Sequence, residues 1–406
     1  MSAVDPGRRL AHSRLLRLIA AAMPGTLAFL TGGSLRDRLL GHDTHDLDLV
    51  VDCDPREAAS AIARGIGVRC FPLGRPPRVA WRLVTKRAQI DIVALQGGSV
   101  EADVRRRDFT VNALLWRLPH GPLFDLVGGL DDLAAGRIRV VRQSNLDDDP
   151  LRVLRGLRLA ATRPSLRLTA ESERALSLAA SGLARVARER VIGELDLTLA
   201  GVGVTRALLA AARLGVFEHL IPGWQRLSEP QPLASLAGRL AALRRGRSAL
   251  ARGAAAVAPA VLAAPAAGFP ARWDGGAAVT ALTAVWPART ARSSARAAEL
   301  GERFASGMTG PDARALAVEG ENDLPAALAW AAVRDDDPEA AEAARRLLRW
   351  SRSFAARPPL LPGDEVAALL GLPHGPARAE AVRRLRAAQA RGEIRTAAQA
   401  RRRLGV

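Results

Sequence analysis

Asp46 and Asp48 stand at i and i+2 in the stretch TGGSLRDRLLGHDTHDLDLVV, residues 31–51. On a β-strand that spacing turns both carboxylates to one face, while Leu47 and Leu49 turn toward the core. Two carboxylates held side by side repel each other, and a divalent cation relieves the repulsion. Hard oxygen donors of this kind suit Mg²⁺, which keeps positions open for substrate phosphates. Taken alone, an Asp-x-Asp is also the ordinary form of a solvated strand edge. Upstream, Gly32 and Gly33 separate an apolar run from a helix expected to begin near Ser34. A glycine turn before a helix lets a phosphate reach backbone N–H groups. Arg36 would supply the countercharge, and Asp37 would brace the turn. A phosphate cradle and a carboxylate pair within 16 residues point together to chemistry on a nucleotide's phosphates.

Asp91 is a third candidate. It lies in the apolar stretch QIDIVAL (89–95), where an unpaired carboxylate is costly to bury. A metal shared with Asp46 and Asp48 removes that cost, and so does a nearby arginine; the sequence leaves both open.

The elements that must carry these residues are short. TLAFL (26–30), LDLVV (47–51), VAWRLVT (79–85) and QIDIVAL (89–95) read as strands bounded by turn residues. From about Asp149 onward the apolar period is helical nearly throughout, as in PLRVLRGLRLAAT. The fold class is therefore α+β, a small α/β head followed by a long all-helical body. Boundaries are expected at 1–125 for the head, 126–200 for a helical neck and 201–406 for body and tail. Residues 251–285, rich in Ala, Pro and Gly, read either as short packed helices or as a looser connection.

The chain has 406 residues, with 59 Lys and Arg against 41 Asp and Glu, a net charge of +18. Such an excess calls for a polyanionic partner, nucleic acid before anionic membrane. Cys53 and Cys70 form neither a metal nor a redox spacing, which fits a reducing cytoplasm. Arg14 and Arg17 interrupt the N-terminal apolar stretch at helical spacing, so it reads as an amphipathic helix rather than a signal segment. No run of about 18 uncharged apolar residues suggests a membrane span.

Five motifs then occur in order: GGSLRDRLLG with DLD, RRDFTVNAL (106–114), DLVGG (125–129), DDPLRVLRGLR (148–158) and ERVIGEL (189–195). In this order they resemble the class II tRNA nucleotidyltransferases, the CCA-adding enzymes, and the related bacterial poly(A) polymerases. The segment from PLLPG (359–363) to about residue 394 also looks like the tail of many members. The resemblance implies a polymerase-β-like head with an elongated helical neck, body and tail. It implies template-independent addition of CMP, AMP or both to tRNA 3′ ends, with CTP and ATP as substrates and Mg²⁺ as cofactor. Poly(A) synthesis on RNA 3′ ends is the alternative.

Carried over residue by residue, Gly33 and Arg36 match positions contacting the triphosphate. Asp46 and Asp48 match the carboxylates of a two-metal nucleotidyl transfer. Arg107 and Asp108 match positions holding the nucleotide, with Asn112 supporting their segment. Asp149 accepts hydrogen bonds and Arg152 donates them one helical turn later, a pair able to read the Watson–Crick edge of an incoming base. Arg155 and Arg158 continue that face toward the triphosphate. Asp149-Pro150 is equally an orthodox helix start. The basic tail, with Arg383, Arg384, Arg386 and Arg401–Arg403, is the expected seat of the RNA body.

Two departures stand out. The family usually has Glu-Asp where this chain has Asp148-Asp149. The interval after Asp91 is only IVALQGGSVEADVR, whereas enzymes that complete CCA usually carry a longer flexible loop there. Its shortness leaves a CC-only enzyme, an A-only enzyme or another switching device.

Overall fold

A computed structural model describes residues 10, 13–42, 44–75, 78–221, 224, 231–245, 247–264, 273–304, 307–334, 337 and 339–406. The chain divides into two compact units, residues 1–160 with 164–183, and residues 161–163 with 184–406.

The first unit is built on a seven-stranded sheet. Its strands are β1 (Ala28–Thr31), β2 (Asp46–Val51), β3 (Cys70–Arg75), β4 (Arg78–Val84), β5 (Gln89–Ala94), β6 (Leu115–Arg117) and β7 (Leu123–Phe124). They lie in the order β3-β4-β5-β2-β1-β6-β7, with β2 and β5 parallel and the other pairs antiparallel. The four strands expected from sequence are all present within a residue or two of their expected ends. The sequence pattern missed β3, β6 and β7. Pro72 and Gly74 lower the strand signal of β3, and an edge position is where a sheet tolerates them. The strands β6 and β7 are three and two residues long, too short for a period to register.

Eight helices among the described residues belong to or leave this unit: α1 (Arg14–Ala21), α2 (Gly32–Leu39), α3 (Pro55–Ile66), α4 (Val100–Arg105), α5 (Gly129–Ala134), α6 (Gln143–Asp148), α7 (Leu151–Thr162) and α8 (Ala170–Ala179). The amphipathic helix expected at the N-terminus is α1, capped by the Ser13 side chain and burying Leu16 and Ile19. Residues 1–9, 11 and 12 lie outside the described residues. The alternation of β2 explains the core. Leu47, Leu49 and Val51 face α3 with Ile90, Ile92, Leu83, Ala59 and Ile62. The opposite face carries Asp46 and Asp48, and further along the strand Val50 packs with Phe29, Val104, Ala113 and Leu115. One face of the sheet is sealed by apolar packing, and the other carries the carboxylates.

Every regular element among the described residues of the second unit is a helix. Helices at 249–257, 288–304 and 324–334 pack closely because Ala and Gly line their contacts; Gly301, for example, admits the Trp330 ring. Two buried indoles keep their N–H satisfied, as buried tryptophans usually do: Trp330 Nε1 donates to Glu302 at 2.7 Å and Trp286 Nε1 to Asp196 at 3.2 Å. Of the two readings of residues 251–285, packed helices hold for the described part, with 249–257, 260–263 and 275–283 helical. Residues 265–272 lie outside it.

Near the C-terminus a smaller core gathers Leu361, Val366, Leu385, Ala388, Ile394 and Ala400. Among the tail arginines, Arg383 and Arg384 pair with Glu380, Arg401 with Glu365 and Arg403 with Glu393. Arg386 folds inward. It donates to the carbonyls of Phe354, Arg357 and Pro358 and stacks on the Phe354 ring at 4.3 Å.

Candidate functional site

The site grows from the junction of β1, α2 and β2. The chain leaves β1 at Thr31 and turns at Gly32, whose φ of +66° is a left-handed value that a side chain resists. A Cβ there would also stand 3.1 Å from Asp48 Oδ2. Glycine is required at this point both by the turn and by the carboxylate behind it. The helix begins at Gly32, two residues earlier than expected. Ser34, which the motif reading passed over as a site residue, ties the helix to the strand. Its Oγ accepts the Asp48 N–H at 3.0 Å, and its own N–H points at Asp48 Oδ2 at 3.4 Å.

Asp46 is exposed and Asp48 half-buried on the same face of β2. Burial lifts the Asp48 carboxyl above its ordinary value; the Ser34 N–H opposes the rise, Asp91 adds to it, Arg107 opposes it and Asp46 adds to it. A divalent cation would reverse that balance, because its charge favours the ionised form. The donor set therefore fits a hard cation. Among the described residues no group of three or more His, Cys, Asp or Glu is placed to hold a metal. The pair would share the ion with phosphate oxygens and water, the usual habit of Mg²⁺.

Asp91 lies beside Asp48 in register across β2 and β5. Both its oxygens engage Arg82, at 2.7 Å each, in a bidentate pair. Of the two partners left open by the sequence, arginine is the one with contacts here. Arg38 steadies the approach to β2 by donating to the Thr44 and Asp46 carbonyls at 3.0 and 3.4 Å.

Gly33 and Arg36 are neighbours, since a Cβ on Gly33 would lie 3.4 Å from the guanidinium. Arg36 is buried, held by Asp37 Oδ1 at 2.7 and 2.9 Å and by Asn112 Oδ1 at 2.5 Å. Asp37 thus braces the arginine itself. Asn112 is a junction: its Nδ2 donates to Asp108 at 3.1 Å and its carbonyl accepts from Arg107 at 3.1 Å. Arg107 is gripped by Asp103 one turn back, at 2.6 Å. Asp108 is buried, accepts the Phe109 N–H at 2.8 Å and pairs with Arg155 at 3.0 Å. Burial works to raise its pKa, yet Arg155, Asn112, the Phe109 N–H and Arg152 together hold it below the ordinary carboxylate value.

The helix α7 meets this segment through Phe109. A Cβ on Gly156 would come within 2.8 Å of the Phe109 ring, so the glycine is what lets the two approach. Arg152, Arg155 and Arg158 are half-buried at i+3 steps, while Val153, Leu154 and Leu157 turn inward. Asp149 is buried where α6 ends, its N–H directed at the Asn145 carbonyl at 3.4 Å and its own carbonyl accepting the Arg152 N–H at 3.0 Å. Asn145, which carried no sequence signal, is buried and donates through Nδ2 to the carbonyls of Arg105 and Arg107, at 2.9 and 2.7 Å. One side chain therefore links the arginine-aspartate segment to the helix that leads into Asp149. The fold thus joins Arg36, Arg107, Asp108, Asn112 and Arg155 in one hydrogen-bonded network beside the Asp46–Asp48 face. Arg158 lies farther along α7.

Known proteins share this arrangement of chain. A model of the poly(A) polymerase head domain matches residues 28–96 and 78–139. The chain is 33% identical to the CC-adding tRNA nucleotidyltransferase of Thermus thermophilus, over 92% of each chain. It is 32% identical to that of Geobacter sulfurreducens, over 96% of each. To the A-adding tRNA nucleotidyltransferase of Deinococcus radiodurans it is also 32% identical, over 92% of this chain and 94% of that one. Among solved structures, a CCA-adding enzyme with ATP superposes with a TM-score of 0.72 at 20% identity, covering 96% of this chain and 94% of its own. The Thermotoga maritima CCA-adding enzyme complexed with tRNA gives 0.66 at 20% identity, covering 96% and 93%. At those identities the structures speak for the fold.

Proposed function

The chain belongs to the class II tRNA nucleotidyltransferases, and from that premise we propose that it adds CMP to tRNA 3′ ends as a CC-adding enzyme. The observation that argues against completing CCA is the interval after Asp91, and the names of the long-matching relatives favour CC over A. A short 3₁₀ turn at Gln96–Gly98 and helix α4 fill it, and Asp103 locks both ends, accepting the Gln96 N–H at 3.2 Å and Arg107 at 2.6 Å. A segment so held does not serve as the flexible loop that would switch the site to ATP. The relatives above that carry the CC-adding name span nearly the whole chain.

The residues divide the work by chemistry. Arg36 and the N–H groups at the start of α2 receive the triphosphate, because a helix N-terminus with an adjacent cation favours an anion. Asp46 and Asp48 would hold Mg²⁺, which when bound activates the RNA 3′-hydroxyl and steadies the leaving pyrophosphate. Arg107 and Asp108 hold the nucleotide, with Asp108 kept ionised by Arg155 as an acceptor for a ribose hydroxyl. Asp149 and Arg152 present an acceptor and a donor set to the base, so protein side chains stand in for a template. The cytoplasm follows from the tRNA substrate, and Cys53 and Cys70 are free thiols. Among the described residues no helix is long and apolar enough to cross a membrane.

The A-adding reading is favoured by the Deinococcus relative at nearly the same identity. One experiment decides between them. Wild-type protein with Mg²⁺ is given tRNA lacking its last three, two or one nucleotides, with CTP and ATP supplied separately. The CC-adding reading expects two CMP additions to the shortest tRNA and none of AMP to tRNA ending in CC. Addition of AMP alone would establish the A-adding enzyme, and extension of an oligo(A) primer would establish a poly(A) polymerase.

A further inference from the structure

Register across the sheet puts five residues in one row on the catalytic face: Thr31, Asp48, Asp91, Arg82 and Phe71. The row runs from the phosphate cradle through the carboxylates to the sheet edge. At the edge the face is apolar and open. Phe71 is 44% exposed, Leu73 41% and Val84 52%. All three lie on the face of Arg82, since Phe71 pairs with Arg82, Leu73 with Ala80, and Val84 with Gln89 beside Asp46. Phe71 is the one aromatic among the exposed large apolar side chains of the described residues. An edge strand that leaves a phenylalanine in water next to a catalytic face needs an explanation that burial does not give.

We propose that Phe71 is a stacking platform for a base at the 3′ end of the acceptor RNA, on a shelf formed by β3 and β4. The inference rests on reading the head as a tRNA nucleotidyltransferase. Phosphoryl transfer places the attacking and leaving oxygens roughly in line. The pyrophosphate leaves toward Gly32–Arg36, on the β1 side of Asp48, so the attacking hydroxyl comes from the β5–β4–β3 side. Three strand spacings separate Phe71 from Asp48, about 14 Å at the usual ~4.8 Å between strands, a span that a short run of nucleotides covers. Single-stranded RNA is held by ring faces for its bases and cations for its backbone. The shelf offers both. Arg69, Lys86 and Arg87 are exposed at its end near Val84, and neither β3 nor β4 contains an acidic residue. A ring face discriminates little between bases, which suits an acceptor end that differs from one tRNA to another.

The test uses the full-length protein and a tRNA that lacks CCA and carries 2-aminopurine as its last base. Stacking on Phe71 should quench that fluorophore when RNA and Mg²⁺ are present without nucleotide. Phe71→Ala should lose most of the quenching and raise the KM for tRNA about tenfold, within the range measured for base–aromatic stacking, with the KM for CTP unchanged. Phe71→Trp should keep both properties. Phe71→Leu, which preserves apolar area without a ring, should behave like Phe71→Ala; if it behaves like wild type, Phe71 packs rather than stacks and the proposal falls. It falls equally if Phe71→Ala keeps its quenching and a tRNA KM within twofold of wild type. Wild-type protein that extends no tRNA would overturn the underlying reading as well, which separates the two failures.

Discussion

At the scale of single residues, the site is a contest between burial and charge. Asp48 is held where its own ionisation is disfavoured, by burial first and by Asp91 and Asp46 in addition. A carboxylate is kept in such a place when a cation is to be its partner. Asp46→Ala and Asp48→Ala are each expected to abolish CMP addition in a gel assay while circular dichroism and tRNA binding stay near wild type. Activity within a few-fold of wild type in either variant would remove the metal assignment. Asp108 illustrates the opposite balance, because Arg155, Asn112, the Phe109 N–H and Arg152 outweigh its burial. A carboxyl whose folded pKa is depressed adds stability that is present in full above its unfolded value, near 3.8. That stability is lost as pH falls through the lower folded value. Asp108→Asn should therefore cost about 1–3 kcal/mol at pH 7, as expected for a buried hydrogen-bonded charge. In denaturant titrations the gap to wild type should hold from pH 7 to about 5 and narrow only below ~4. A gap that narrowed already between pH 7 and 5 would contradict the assignment.

At the scale of elements, α6 and α7 are fixed against the arginine-aspartate segment. Two devices do this. Gly156 lets the Phe109 ring lie on α7, and Asn145 holds two carbonyls of the segment from α6. The second device is the more informative, because it joins the backbone of Arg107 to the element that ends at Asp149. Asn145→Ala leaves two buried carbonyls without these donors, worth about 1–3 kcal/mol. If α6 serves to position the nucleotide, the KM for CTP should rise about tenfold, the equivalent of 1.4 kcal/mol, with the KM for tRNA unchanged. Steady-state kinetics against each substrate checks this. A fall in thermal stability with both KM values unaltered would leave Asn145 as a packing residue alone.

At the scale of the whole molecule, the net charge of +18 is not spread evenly in its availability. Arg386 is committed to three carbonyls and the Phe354 ring, so it holds the tail together rather than meeting RNA. Truncation after about residue 355 would also strip the helix at 376–391 from the helix at 310–320, and would confuse RNA binding with unfolding. Point changes on the outer face are cleaner. The side chain of Arg384 is 79% exposed, and Arg402 is exposed as well; exposed ion pairs such as Arg384–Glu380 contribute little and are readily exchanged for a phosphate. The double variant Arg384→Ala, Arg402→Ala should raise the KM for tRNA several-fold at low salt and leave that for CTP unchanged. The slope of log affinity against log salt should become shallower by about one for each phosphate that the variant no longer neutralises. An unchanged slope would show that the tail arginines are only a solvated surface.

The sequence by itself determined what depends on short range. The period-2 pattern placed β1, β2, β4 and β5. The i, i+2 spacing put Asp46 and Asp48 on one face, and the ordered motifs identified the family while leaving tRNA and other RNA 3′ ends both open as substrate. These are legible because strand alternation and helical steps convert spacing directly into direction. Only the tertiary structure decided which distant groups meet. Asp91 faces Arg82, Asn112 joins Arg36 to Asp108, and Asn145 reaches back to Arg105 and Arg107. No local pattern encodes such pairs, because each partner lies on a different element and the bond exists only once the sheet register and helix packing are set. The edge strand β3 belongs here too. With Pro72 and Gly74 it has little strand character of its own, and its pairing with β4 alone brings Phe71 into line with Asp48.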